Sequence, residues 1–308
     1  MYFFAVLPAV AILPPRVKRS VVCRLGKHLY EANGFHREAT RVSLTEVLSN
    51  RGYSTQQITD QTVGTFETLV AEDMDAYCFP FWNSRNIGQY YEFEGLDHLD
   101  MALKRRKGAL LFTGHVGRPC ASLVALGLSG YPVTHLSRDS RREKSLPAPF
   151  RTYARFKLKW MKKGSGRELA FIDQDDYAQS SIAASLRVCQ LLSKNEVVSM
   201  AIDVPPPLVK STETCWFLNR QCRFPTGLVQ LAYQTGAPVL PFFALGDDES
   251  RTGQKLIVQE EVKLCGDVGQ DLQQCVDRLS QVILESPEQW LSWDSFRSFW
   301  SSDEQVRT

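Results

Sequence analysis

The residue best placed for chemistry is His115. It stands in Leu110-Leu111-Phe112-Thr113-Gly114-His115-Val116-Gly117-Arg118-Pro119-Cys120, where an apolar run meets a Thr-Gly break. Ala109 to Phe112 reads as a short buried strand opened by Lys107-Gly108, and Gly114 ends it. From Ala121 onward Leu123, Leu126 and Leu128 take near-helical spacing. His115 is therefore expected in the turn between the carboxyl end of a strand and a helix, the crevice where open α/β sheets bind ligands. A neutral imidazole there can take a proton from a hydroxyl nucleophile. The plainer alternative is a turn histidine that bonds only to its neighbours.

The elements that would position it alternate between strand and helix. Tyr90 to Gly95, Tyr131 to Ser137, Leu169 to Ile172, Val197 to Ile202, Val239 to Leu245 and Lys255 to Val262 read as strands. The strand ending at Ile202 delivers Asp203 at its tip, before the stiff Pro205-Pro206-Pro207. Helical patterns cover Val21 to Tyr30, Leu44 to Asn50, Leu96 to Arg106, Pro147 to Met161, Ser180 to Leu192, Leu228 to Gln234 and Leu272 to Leu284. Ser54 with Gln57 has the spacing of a capping box for a long helix to Tyr77. Trp216 to Leu218 and Gln221 to Phe224 are two extended pieces around Asn219-Arg220. Without internal repeats or a linker, this is the α/β pattern: a central mixed sheet flanked by helices. Residues 31–308 are expected to form a single domain.

Composition narrows the function classes. Of 308 residues, 44% are hydrophobic and 23% charged, which supports a real core and argues against disorder. A net charge of +2 gives no sign of a nucleic-acid binder. The charge is uneven, however. Eleven basic residues against Asp139 and Glu143 make a local +9 between Arg138 and Arg167. Within that stretch Phe150, Tyr153, Phe156 and Trp160 alternate with Arg151, Arg155, Lys159 and Lys162-Lys163, the pattern of a basic amphipathic helix suited to an anionic surface. A surface helix whose aromatics are simply core is the competing reading. The eight cysteines form no CxxC and no zinc spacing, so neither a metal nor a cofactor is expected, and a reducing compartment is.

Met1 to Leu13 is apolar but broken by Pro8 and stopped by Pro14-Pro15, too short to span a bilayer as a helix. With Arg16-Val17-Lys18-Arg19 behind it, residues 1–30 read as a membrane-associating helical segment lying in the interface. Tyr2, Phe3 and Phe4 sit at the extreme terminus, where little protein is expected to cover them.

Four stretches in order resemble the lipid A lauroyl/myristoyl acyltransferase family of the lysophospholipid acyltransferase superfamily. They are Gly95-Leu96-Asp97-His98 with Lys107 through Gly117; Leu192-Ser193-Lys194-Asn195-Glu196-Val197-Val198 through Asp203; Arg223-Phe224-Pro225-Thr226-Gly227 through Pro241; and Ser286-Pro287-Glu288-Gln289-Trp290-Leu291. They cover most of the chain from about residue 90. The resemblance implies a glycerolipid acyltransferase-like fold on the cytoplasmic face of a bacterial inner membrane. It implies transfer of a fatty acyl chain from an acyl-ACP or acyl-CoA thioester to a hydroxyl or amine of a lipid or small-molecule acceptor. His115 would be the general base, with no acyl-enzyme. Asp203 and Arg167 match family positions, the arginine with a different spacing. Gly117, Arg118, Arg155, Arg223, Thr226 and Gly227 are the expected substrate contacts; Thr226-Gly227 opens a helix whose free N–H groups suit a phosphate or an oxyanion.

One departure bears directly on mechanism. The family motif has an acidic residue five positions after the histidine, and here that position is Cys120, while Arg118-Pro119 replaces the usual Asn-Trp. The carboxylate fixes the imidazole tautomer, and losing such a group costs on the order of 10⁴ in rate in related triads. Three readings follow. Another acid supports His115, with Glu92, Glu94, Asp173 and Asp203 as candidates. Cys120 itself acts, as an acyl acceptor or in a thiol hydrolase. Or the protein is a degenerate member that binds carrier protein or membrane without turnover.

Overall fold

The computed structural model describes residues 1–138, 146–167, 170–172, 177–209, 211–246 and 253–301. The chain begins with a short π-helical turn, Tyr2–Val6, and then forms α1 (Leu7–Ala11), α2 (Pro15–Ala32), α3 (Gly34–Leu48) and α4 (Thr55–Cys78). Next come β1 (Glu92–Glu94), α5 (Leu96–Lys104), β2 (Ala109–Thr113), α6 (Pro119–Leu128), β3 (Val133–Arg138) and α7 (Ala148–Ser165). The second half runs β4 (Ala170–Ile172), α8 (Tyr177–Ser193), β5 (Val197–Ala201), β6 (Thr212–Phe217), β7 (Arg220–Pro225) and α9 (Gly227–Thr235). It closes with β8 (Val239–Gly246), β9 (Gln254–Val258) and α10 (Val268–Glu285).

Seven strands form one mixed sheet in the order β1-β9-β8-β2-β5-β3-β4. All pairings are parallel except β8 with β9. The expected α/β architecture with helices on both faces is present. Period-two alternation divides the core: Leu110 and Phe112 of β2 pack into one cluster with α8, α9 and α10, whereas Ala109 and Leu111 pack into the other with α4, α6 and α7. Both faces are covered, which is why β2 reads as an unbroken apolar run. The extended pieces around Asn219 are a separate hairpin, β6–β7, with Leu218 and Asn219 both at positive φ.

Several boundaries differ from expectation. Ser54 caps α4 through the full capping box with Gln57. Asn33 ends α2, but α3 starts at once at Gly34, well ahead of the expected Leu44. The last regular strand stops at Val258, and beyond it pairing with β8 continues only as the Gln259 N–H to the Pro241 carbonyl and an isolated bridge of Val262 with Val239.

The amino terminus is covered more than its position suggested. Phe3 stacks on Tyr153 of α7 with ring centroids 4.5 Å apart. The Tyr2 hydroxyl donates to Asp73, and Tyr77 donates to the Phe3 carbonyl. Met1, Phe4 and Ile12 remain exposed. Among the described residues no helix is long and apolar enough to cross a membrane. The aromatic face of α7 is core, as the competing reading had it: Tyr153 is buried and Phe150, Phe156 and Trp160 pack against the α4–α6 cluster.

Candidate active site

Strand register brings the two decisive residues together. The last β2–β5 pair is Thr113 with Ala201. His115 and Asp203 each lie two residues beyond it, on adjacent strands about 4.8 Å apart. The chains leave the sheet side by side, with the Ile202 N–H donating to the Thr113 carbonyl at 2.9 Å. The His115 ring then meets the Asp203 carboxylate, Nδ1 to Oδ1 at 2.8 Å. Oδ2 accepts the His115 backbone N–H at 2.7 Å and the Trp290 indole N–H at 2.8 Å. Asp203 is wholly buried while the His115 side chain is 49% exposed. A buried carboxylate with three donors holds one nitrogen of a ring whose other edge is open to solvent. Nδ1–H donates to the carboxylate, so the basic lone pair is on Nε2.

The turn carrying His115 is clamped on both sides. The segment at Trp290 donates from Leu291 N–H to the His115 carbonyl at 2.8 Å, and the Gln289 carbonyl accepts from Gly117 N–H at 2.7 Å. On the β8 side the Ala244 carbonyl accepts from Arg118 N–H at 2.8 Å. Gln289 closes the frame by bonding both backbone groups of Gly246. Two glycines make this approach possible. A Cβ on Gly117, at φ +63°, would stand 2.0 Å from the Ala244 oxygen. A Cβ on Gly114 would stand 3.0 Å from Asp203 Oδ2.

Four of the expected site residues have other work. Arg167 pairs with Glu196 at 3.3 Å. Glu196 precedes β5 and Asp203 follows it, so the pair sits at the amino rim, about 16 Å of strand away from the histidine. Arg118 is mostly buried and pairs with Asp75 of α4 at 2.8 Å, which ties the start of α6 to α4 rather than reaching a substrate. The Cys120 thiol is half-buried, and burial, then the Glu72 carboxylate beside it, pushes its pKa far up. That shift disfavours the thiolate that reactivity requires. Gly117 serves the turn itself. Lys157, one of the eleven basic residues of that stretch, turns inward to Glu72 at 2.8 Å.

The remaining expected contacts lie on other elements. Arg155 stands exposed on α7, and Arg223 is exposed on β7. Thr226 is buried at the head of α9 with its hydroxyl on Ser211, and Gly227 faces open space. Among the alternative acids, Glu94 pairs with Lys255 at the β1 edge, three strands from β2, and Glu92 shares that strand. Asp173 lies outside the described residues. Asp203 is the acid that the fold delivers.

Two residues near the site escaped the sequence reading. Trp290 stood within a noted motif, but nothing in the sequence shows that its indole reaches Asp203. His135 lies inside β3, and only the register across β5 reveals its neighbours.

An imidazole held by a buried carboxylate at the carboxyl rim of an α/β sheet has the geometry to accept a proton at its free nitrogen. Residues 2–293 match the bacterial lipid A biosynthesis acyltransferase family, nearly the whole chain, and the protein belongs to that family. No individual protein of curated function matches it.

Proposed function

We propose that the protein transfers a fatty acyl chain from a thioester of acyl carrier protein or coenzyme A to a hydroxyl of a lipid or glycolipid acceptor. His115 is the general base and Asp203 its orienting acid. The observation that carries this reading is the 2.8 Å contact between His115 Nδ1 and Asp203. It supplies from β5 the carboxylate that the family motif places at position 120, so the cysteine there removes no needed group.

The acceptor hydroxyl gives its proton to His115 Nε2 while its oxygen attacks the thioester carbonyl carbon. Asp203 keeps the ring in the competent tautomer and stabilises the imidazolium. Collapse of the tetrahedral intermediate breaks the C–S bond, and the thiolate takes the proton back from His115. The non-catalytic alternative drew its force from the missing acid, and Asp203 answers that objection. Residues 1–30 serve as the membrane-facing segment, with Met1, Phe4, Ile12 and Val17 exposed beside the basic start of α2.

The test is transfer of labelled dodecanoyl from its CoA and ACP thioesters to lipid extracts, by the purified protein and by His115→Ala. Loss of transfer in the variant supports the reading. Equal transfer by both would exclude His115 as base. Salt-sensitive cosedimentation with anionic vesicles tests the membrane role.

A further inference from the structure

The carboxylate that orients His115 is itself oriented from a third part of the chain. Three N–H groups reach Asp203, and two of them belong to His115: its backbone N–H at 2.7 Å and its ring Nδ1 at 2.8 Å. Those two move with the very turn that Asp203 has to steady. The third is the indole N–H of Trp290, on Oδ2 at 2.8 Å, from the segment that follows α10. Among the described residues it alone bonds the carboxylate to something other than the histidine it serves. A carboxylate can turn about its two side-chain bonds. With Oδ2 held by donors from two different elements, Oδ1 is left facing the ring.

The indole is fixed in its turn. Trp290 and Asp203 are both wholly buried. Phe217 of β6 and Trp293 meet the indole edge to face, with ring centroids 5.4 and 4.7 Å away. Phe296 and Phe299 lie at 5.8 and 6.4 Å. The backbone on both sides of Trp290 is bonded to the His115 turn, through the Leu291 N–H and the Gln289 carbonyl. Phenylalanines fill the rest of this box without a polar atom, so packing alone does not call for an N–H here. Its one acceptor is a buried carboxylate, and each would cost free energy without the other.

We propose that Trp290 is a positioning residue for acyl transfer: its indole N–H, acting through Asp203, holds Oδ1 on the His115 ring while the imidazolium forms. This rests on the acyl-transfer reading of the site. As the acceptor hydroxyl passes its proton to Nε2, positive charge spreads over the ring and the Nδ1–H bond to Oδ1 strengthens. A carboxylate free to turn loses that alignment at the moment it counts. Trp290 has no exposed surface with which to meet a substrate, so its effect falls on kcat and not on KM.

The decisive replacement is 3-benzothienylalanine at position 290, an isostere with sulfur in place of the indole N–H, with Trp290→Phe as its companion. In turnover with dodecanoyl-CoA or dodecanoyl-ACP the isostere should lower kcat about 10–100-fold, the size of one hydrogen bond to a charged group, with KM little changed. A merely structural role predicts wild-type kcat for the isostere, since the packing is kept. In Asp203→Asn the same replacement should cost no more than about threefold, because both changes act through one group; independent effects would multiply. Without any substrate, the ¹⁵N-labelled His115 Nδ1–H should exchange with water faster in the isostere protein than in wild type. Wild-type kcat in the isostere, losses that multiply, or unchanged exchange would each overturn this proposal alone. No turnover by the wild-type protein, with faster exchange in the isostere, would overturn the acyl-transfer reading and leave the Trp290 contact standing.

Discussion

Asp203→Asn is the substitution whose consequence the geometry defines most closely. The two carboxylate oxygens are not equivalent: Oδ2 accepts two donors, the His115 and Trp290 N–H groups, and Oδ1 accepts only His115 Nδ1. An asparagine keeps its single oxygen where two donors demand it, so its NH₂ lands opposite Nδ1. The ring then accepts at Nδ1 and carries its proton on Nε2, leaving no lone pair to receive the acceptor proton. The related triad substitution lowers kcat about 10⁴-fold through the same tautomer error, a barrier increase of about 5 kcal/mol. KM should change little, since Asp203 is fully buried and touches no substrate. Replacing charge-assisted bonds with neutral ones should cost about 1–3 kcal/mol in stability. The assay is acyl transfer with kcat and KM separated, together with ¹⁵N NMR of the His115 ring. A kcat within tenfold of wild type, or a ring still protonated on Nδ1, would refute the reasoning.

Other perturbations read the same frame. Cys120→Ala should keep kcat within a few fold in the transfer assay, because the thiol is held protonated. Cys120→Glu should give no gain: it sets a second carboxylate beside Glu72 in competition for Lys157, and breaking that buried pair costs about 3–5 kcal/mol in denaturant titration. Gly117→Ala should abolish transfer and lower the melting temperature, since its Cβ meets the Ala244 carbonyl and its φ is +63°. His135 makes stability depend on pH. Its pKa in the fold, about 4, lies below the ordinary histidine value of 6.5, so the unfolded chain binds the extra proton. Its contribution is present above pH 6.5 and is lost as pH falls toward 4. Denaturation of His135→Phe across that window should show a shallower slope, and an unchanged slope would assign it elsewhere.

Most of the architecture was legible because hydrophobic periodicity is local. The apolar run Ala109–Phe112, the Ser54–Gln57 cap and the alternation of strands with helices needed nothing beyond near neighbours in sequence. The start of α3 at Gly34 was not legible, since Gly34 to Arg41 is polar and its helix is fixed by packing against α4 and the carboxyl-terminal turn at Trp293–Phe299. The amino-terminal aromatics were misread for a similar reason: Tyr2 and Phe3 are covered by α4 and α7, more than 70 residues away. Arg167 kept its place in a motif while lying at the wrong end of the strands, a distinction that sequence order does not carry.

By itself the sequence determined that a histidine would stand in a strand-to-helix turn and that an aspartate would end a later strand. It also determined that position 120 had lost its acid. Which acid stands beside the ring was decided by the β2–β5 register, because the alignment of Thr113 with Ala201 sets His115 beside Asp203. The same holds for Trp290, His135 and the buried Glu72–Lys157 pair. Each depends on hydrogen bonds of about 3 Å between residues far apart in the chain, and such contacts exist only once packing has fixed both partners.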